Sequence, residues 1–302
     1  MELGYDGKLY ILAFDHRGSF QKKFFGVQGD PDEEQSATIA DAKRAIYEGM
    51  LSALADGSPR EAAGVLVDEQ FGAMVARAAK AEGLKLAMPV EKSGQNEFDF
   101  QYGDAFGEHI EDLDPTFNKV LVRYNPEGDA GMNERQSARL KRLSDWLHEH
   151  DRSFLFELLV PAEASQLEAV GGDEGRFDVE LRPDLMQRAI AELQAAGIEP
   201  DIWKIEGIDR REDCEMIAAQ TRSGEGREGV VCVVLGRGAD DQAVDHWLRT
   251  AAGVPGYVGF AIGRSIWWDP LKEYVDGTTP REDAARQIGA NYRRFIDVYE
   301  GG

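Results

Sequence analysis

The 302-residue chain has little cysteine and little histidine, with two of the first and five of the second. Cys214 and Cys232 are too few for a disulfide framework and read as reduced, ordinary thiols. The histidines lack zinc-helix spacing: His148 and His150 sit two apart on a predicted helix and point in different directions. No metal and no other cofactor is therefore expected, with a carboxylate-bound magnesium left open as the alternative. Long apolar runs are missing too. Nothing approaches the roughly 20 consecutive apolar residues of a membrane helix, and Met1 to Lys8 has no apolar signal core. The expected address is cytoplasmic, without a membrane partner. Cations are scarce, since 34 Lys and Arg against 56 Asp and Glu leave a formal charge of −22, a field that repels nucleic acid. There is no GxxxxGK[ST] phosphate loop. The one GxGxxG match, Gly224 to Gly229, precedes a predicted strand, whereas a dinucleotide fingerprint follows one.

What the chain does have is apolar material, 42% of residues, arranged in short runs. These are Leu9 to Asp15, Gly64 to Asp68, Lys85 to Val90, Lys119 to Tyr124, Ser153 to Val160, Ile202 to Glu206, Gly229 to Leu235 and Tyr257 to Ile262. Most are nearly continuous, as in strands covered on both faces. Helical spacing fills the intervals, at Ser36 to Ala55, Gly72 to Glu82, Asn133 to His150, Arg182 to Ala196, Arg211 to Arg222, Asp240 to Ala252 and Arg281 to Val298. Eight alternating units imply parallel strands with right-handed crossovers, and at this length an α/β fold of the (β/α)8 TIM-barrel type, with an open doubly wound sheet as the alternative. No repeat, low-complexity tract or linker divides the chain, so residues 1–302 read as one barrel domain. Two segments break the pattern. Glu91 to Asn118 is long enough to be functional, and the acidic, Gly-rich Pro161 to Asp178 reads as solvated surface.

Barrel active sites form at the C-terminal ends of the strands. In Ile202-Trp203-Lys204-Ile205-Glu206, alternation puts Lys204 on the face opposite Trp203 and Ile205, which points it into the barrel. An amine there loses hydration, which favours the free, nucleophilic form; the structural alternative pairs it with Glu206. Lys119 and Arg123 share one face of the fourth strand, and Glu157 lies on the fifth, where it transfers protons or merely pairs with Lys119. Asp15 and Asp68 end the first two strands, as sugar-hydroxyl ligands or as caps, function being favoured for Asp15. Gly236-Arg237 and Gly263-Arg264 end the last two, where barrels bind phosphate through backbone N–H groups and a helix N-terminus. Trp267 and Trp268 read as core, with a subunit contact in a homo-oligomer as the alternative.

Together, Phe14-Asp15-His16-Arg17-Gly18, Lys119, Phe156-Glu157-Leu158, Trp203-Lys204-Ile205-Glu206 and Gly263-Arg264 resemble the Schiff-base (class I) aldolases acting on tagatose 1,6-bisphosphate and sulfofructose phosphate. Glu91 to Gln95 and the overall length are closer to the 5-dehydro-2-deoxyphosphogluconate aldolase domain of myo-inositol catabolism. The resemblance spans nearly the whole chain, with His16 standing where the tagatose enzymes carry Gln. It implies that Lys204 forms the imine, that Glu157 transfers protons and Lys119 assists, and that Gly263-Arg264 bind the phosphate of a small-molecule sugar phosphate. The implied products are dihydroxyacetone phosphate and an aldehyde. For 5-dehydro-2-deoxygluconate 6-phosphate the aldehyde is malonate semialdehyde, and Lys92, Arg17 or Arg123 would hold its carboxylate. Transaldolase-type transfer and a non-catalytic sugar-phosphate sensor are the alternatives.

Overall fold

The computed structural model describes residues 2–301. Eight parallel strands close into a barrel in sequence order, the last pairing with the first. They are β1 (Leu9–Ala13), β2 (Ala63–Leu66), β3 (Lys85–Pro89), β4 (Phe117–Arg123), β5 (Ser153–Leu159), β6 (Ile202–Glu206), β7 (Val231–Leu235) and β8 (Tyr257–Ile262). The chain thus has the (β/α)8 fold expected from the alternation. Strand ends moved by up to two residues. β4 starts at Phe117, for example, because Phe117 and Asn118 already pair with Ala87 and Met88.

The helices are α1 (Gly18–Phe24), α2 (Glu33–Ala55), α3 (Glu69–Ala81), α4 (Phe106–Leu113), α5 (Ala130–Glu149), α6 (Ala164–Ala169), α7 (Glu174–Glu180), α8 (Arg182–Ala195), α9 (Arg211–Thr221), α10 (Asp241–Ala251), α11 (Arg264–Val275) and α12 (Arg281–Glu300). α2 begins earlier than its apolar spacing suggests. Asp32 accepts from the Gln35 N–H at 2.8 Å while the Gln35 side chain accepts from the Asp32 N–H at 3.0 Å, a reciprocal cap that satisfies two terminal N–H groups. No helix among the described residues is long and apolar enough to cross a membrane.

Two irregular segments carry more structure than their sequences suggest. In the first, Glu91 bridges antiparallel to Phe100, and Phe100 stacks on Phe106 of α4 at 4.4 Å between ring centres. The alternating aromatics therefore build a small core of their own beside the barrel mouth. In the second, expected as solvated surface, α6 and α7 form and bury Val170 and Phe177.

Strand parity sorts the interior. Tyr10, Leu12, Phe154, Phe156, Trp203, Ile205 and Phe260 pack outward under the helices. Leu9, Ile11, Ala13, Phe117, Leu155, Ile202, Val231, Val233 and Ala261 fill the barrel. One step further along the inward face, the apolar layers give way to charge: Asp15 follows Ala13, Lys119 follows Phe117, Glu157 follows Leu155 and Lys204 follows Ile202. Trp267 is buried beside this mouth and Trp268 packs against the core.

Candidate active site

A cavity of about 410 Å³ opens at the C-terminal ends of the strands. Its lining includes Asp15, Arg17, Lys92, Lys119, Arg123, Glu157, Lys204, Gly236, Arg237, Gly263 and Arg264, so eleven of the twelve sequence-derived candidates converge there. Asp68 does not. Like Asp15 it lies two residues past an inward-facing position, but α3 starts at once after it, and its carboxylate caps that helix by accepting from the Phe71 N–H at 2.9 Å.

At the floor, Glu157 and Lys204 are cross-strand neighbours. Lys204 Nζ lies 3.1 Å from Glu157 Oε2, and Lys119 Nζ is 3.0 Å from the same oxygen. Lys119 also donates to Asp15 Oδ2 at 2.9 Å and to Glu91 Oε1 at 2.8 Å. Its ammonium thus occupies the point at which three carboxylates converge. Lys204 is 2% exposed and has Glu157 as its single ion-pair partner among the described residues. Glu206, its alternative partner on sequence grounds, instead faces Arg237 Nε at 3.3 Å and accepts from the Val160 N–H.

The electrostatics separate the roles. Burial works against the Lys119 ammonium, but Asp15, Glu157 and Glu91 outweigh it and hold Lys119 charged well above the ordinary lysine range. Burial would also raise the Asp15 and Glu157 carboxyls; Lys119 with His16 for the first, and Lys119 with Lys204 for the second, pull both below their usual range. Glu91 is different. Burial pushes its carboxyl up, and Lys119 and Arg17 only partly offset this. Its Oε2 is buried without a hydrogen-bond partner, so one carboxyl in the site is biased toward the protonated form.

β7 and β8 deliver the opposite corner. α11 starts at Arg264 with no side-chain cap over its first N–H groups. A Cβ on Gly263 would sit 2.3 Å from the Ala13 carbonyl oxygen, so only glycine lets β8 pass β1 here and present those groups to the cavity. Gly238, at φ +72°, makes room for the Arg264 guanidinium, which a Cβ would meet at 2.4 Å. Arg264 Nη2 donates to the Arg237 carbonyl at 2.7 Å. The Arg237 side chain is already held by Asp178 at 2.6 Å and by Glu206. Uncapped N–H groups, accessible glycine backbone and one arginine fork suit an oxyanion such as phosphate.

Across the mouth, Arg123 Nη1 donates to the Gln95 carbonyl at 2.9 Å. Lys92 is exposed at the rim with no ion-pair partner among the described residues. Arg17 is committed to the Glu91 carbonyl at 2.7 Å and to Gln101 at 3.1 Å. Sequence reasoning missed Glu91 and His16 as site residues. The signal for Glu91 was parity, since it follows Ala87 and Pro89 on the inward face as Asp15 follows Ala13.

His16 lines the cavity with Nδ1 buried and unpartnered. Burial, with Arg264 and Lys43 acting in the same direction against Asp15, pushes its imidazole down to about 4. The native state therefore keeps His16 neutral where an unfolded chain, titrating near ~6.5, takes up a proton. The stabilisation is complete above that pH and is lost as pH falls toward about 4. Within this window His16 steepens the pH dependence of unfolding free energy by up to about 1.4 kcal/mol per pH unit. Urea unfolding of the native protein and of His16→Gln between these limits should differ by that slope; parallel curves would contradict the assignment.

The sequence profile of a family described as uncharacterized proteins conserved in bacteria (DUF2090) matches residues 5–301. A tagatose 1,6-diphosphate aldolase of Listeria monocytogenes is 25% identical over 209 residues, which cover 66% of this chain and 56% of that relative. The chain thus aligns with little more than half the length of this curated relative. Among solved structures, a protein of Corynebacterium glutamicum superposes with a TM-score of 0.58 at 18% identity, over 97% of this chain and 88% of the other. A fructose-bisphosphate aldolase from Plasmodium falciparum gives 0.63 at 14% identity, over 98% and 93%. These two share the barrel fold.

Proposed function

We propose that this chain, which belongs to the DUF2090 family, is a class I aldolase that cleaves a phosphorylated ketose through an imine at Lys204. One observation carries the reading: of the two buried lysines at the cavity floor, Lys119 is locked among three carboxylates, whereas Lys204 has a single ion-pair partner among the described residues, Glu157, which is held ionised beside it. The tagatose 1,6-diphosphate aldolase relative supports an aldolase acting on a sugar phosphate.

The ketose binds with its phosphate at the Gly236, Gly263 and Arg264 corner. Lys204 passes a proton to Glu157, and the free amine attacks the ketone carbon. The carbinolamine loses water, and the protonated imine becomes the electron sink. Removal of the proton from the hydroxyl two carbons away breaks the carbon–carbon bond, releases an aldehyde and leaves an enamine. Protonation of the enamine carbon and addition of water return Lys204 and free dihydroxyacetone phosphate.

Glu157 is suited to these transfers because both lysines engage Oε2, which leaves Oε1 for substrate. Lys119 holds Asp15, Glu91 and Glu157 in place while remaining charged. For the substrate we propose 5-dehydro-2-deoxygluconate 6-phosphate, whose carboxylate end would meet Lys92 and Arg123, two cavity-lining cations with no carboxylate partner among the described residues. Borohydride added with dihydroxyacetone phosphate should attach the mass of the ketone less one oxygen, located at Lys204 by peptide mapping. Absence of that adduct, or its location on another lysine, would sink the proposal.

A further inference from the structure

α2 carries a lysine in the middle of its apolar face. Lys43 lies between Ala42 and Ile46 in the row of buried residues that runs from Ile39 to Met50, and it is fully buried. Its ammonium reaches across to the end of β1, where it donates to the Phe14 carbonyl at 2.6 Å and to the His16 carbonyl at 3.0 Å. Its third partner is the buried carboxylate of Asp68, whose other oxygen caps α3. All three ammonium protons are therefore used, which is what keeps a fully buried charge tolerable. The same stretch is held once more: Trp267 Nε1 donates to the Ala13 carbonyl at 2.9 Å. Phe20 of α1 packs beneath, 5.6 Å from Lys43 Nζ and edge-on to Trp267.

The two carbonyls that Lys43 grips belong to the residues on either side of Asp15. We propose that Lys43 is a positioning residue of the active site, clamping the β1–α1 turn from behind so that the Asp15 carboxylate stays on Lys119 and the His16 imidazole stays in the cavity. Lys43 does not line the cavity and touches no reacting atom. Its effect runs through Asp15, and through Asp15 to the Lys119 ammonium that organises Glu157. Asp68 serves as the counter-charge, which gives this strand-end aspartate a place in the machinery without access to substrate.

The kinetic part of the test rests on the aldolase reading; the spectroscopic part does not. Lys43→Met alone strands the Asp68 carboxylate without its cation, and such a variant can fail to fold. The deciding protein is Lys43→Met/Asp68→Asn, neutral on both sides and of similar volume, with Asn still able to cap α3. In this variant kcat should fall about 10- to 100-fold, the scale of a roughly 1 Å misplacement of a catalytic group, while KM changes by less than about 3-fold. Borohydride with dihydroxyacetone phosphate should still place its adduct at Lys204, because the clamp does not touch the sixth strand, but at a rate that falls with kcat as Glu157 loses its order. The His16 ring resonances, followed by NMR in histidine-labelled protein at a pH where the ring is neutral in both proteins, should broaden or multiply as the turn loosens, which loss of the Lys43 charge alone does not produce. A folded double variant with native kcat and single, sharp His16 resonances would overturn the proposal. If the native protein neither traps nor cleaves, the aldolase reading fails, and the His16 resonances still decide the clamp.

Discussion

Lys204→Met should fold normally and lose at least about 10⁴-fold of ketose-phosphate cleavage, with no borohydride adduct remaining. The loss is large because the amine is itself a reactant: without it there is no imine, and no other group on the floor can accept electrons from the breaking bond. The fold should survive because removing Lys204 does not strand its partner. Glu157 keeps Lys119 at 3.0 Å, and the methionine stands beside Val233, its register partner on β7, at the top of the apolar barrel layers. Activity should be read as single-turnover release of dihydroxyacetone phosphate, alongside a thermal melt. A folded Lys204→Met protein with native turnover would refute the imine mechanism.

Glu157→Gln should lower kcat by about 10²- to 10⁴-fold with a far smaller change in KM. The amide is nearly isosteric and can still accept a hydrogen bond from either lysine, so substrate binding is preserved while proton transfer is not. A second effect follows from charge. Glu157 is held below the usual carboxylate range, so the stabilisation it provides is present above about pH 4.3 and is lost as pH falls through its lower folded value. The variant should therefore be less stable than the native protein at neutral pH, and the gap should narrow in acid. Unfolding midpoints followed from pH 7 down to about pH 2 measure this. An unchanged kcat with an intact fold would remove Glu157 from the proton-transfer role.

Much of this site was legible because two simple periodicities coincide. Alternation along a strand tells which residues face inward, and closure of a parallel barrel tells which end of the strand matters. Lys119, Glu157 and Lys204 follow from those two rules together, without reference to neighbours. Asp68 shows where the rules stop. It satisfies both, yet α3 begins immediately after it, and an aspartate directly before a helix is drawn into capping the free N–H groups. Glu91 shows the opposite failure. It meets the same parity, but the segment after it looked like a loop because its order comes from aromatic stacking between Phe98, Phe100 and Phe106, which no short-range periodicity encodes.

Arg237 and Lys43 show a third limit, which is that their partners are distant in sequence. Arg237 lines the cavity as expected, but Asp178, on a helix hidden in an acidic stretch, holds its guanidinium. Lys43 left a clue, a cation on a stripe of Ile39, Ala42 and Ile46, but nothing local says that the carbonyls of Phe14 and His16 are waiting for it.

The charged layer is also divided across the chain. Asp15, Glu91 and Lys119 precede residue 150, whereas Glu157, Lys204 and Arg264 follow it. The seam that joins the two sets at the phosphate corner is the pairing of β8 with β1, where Gly263 slides past the Ala13 carbonyl. Half a barrel holds half a reaction. A refolding chain can recover helices, and then most of its strand pairs, well before these two most distant strands meet, since contacts of long sequence separation form late. Return of catalytic activity during refolding is thus a clock for the final ring closure, while far-ultraviolet circular dichroism times the steps that precede it.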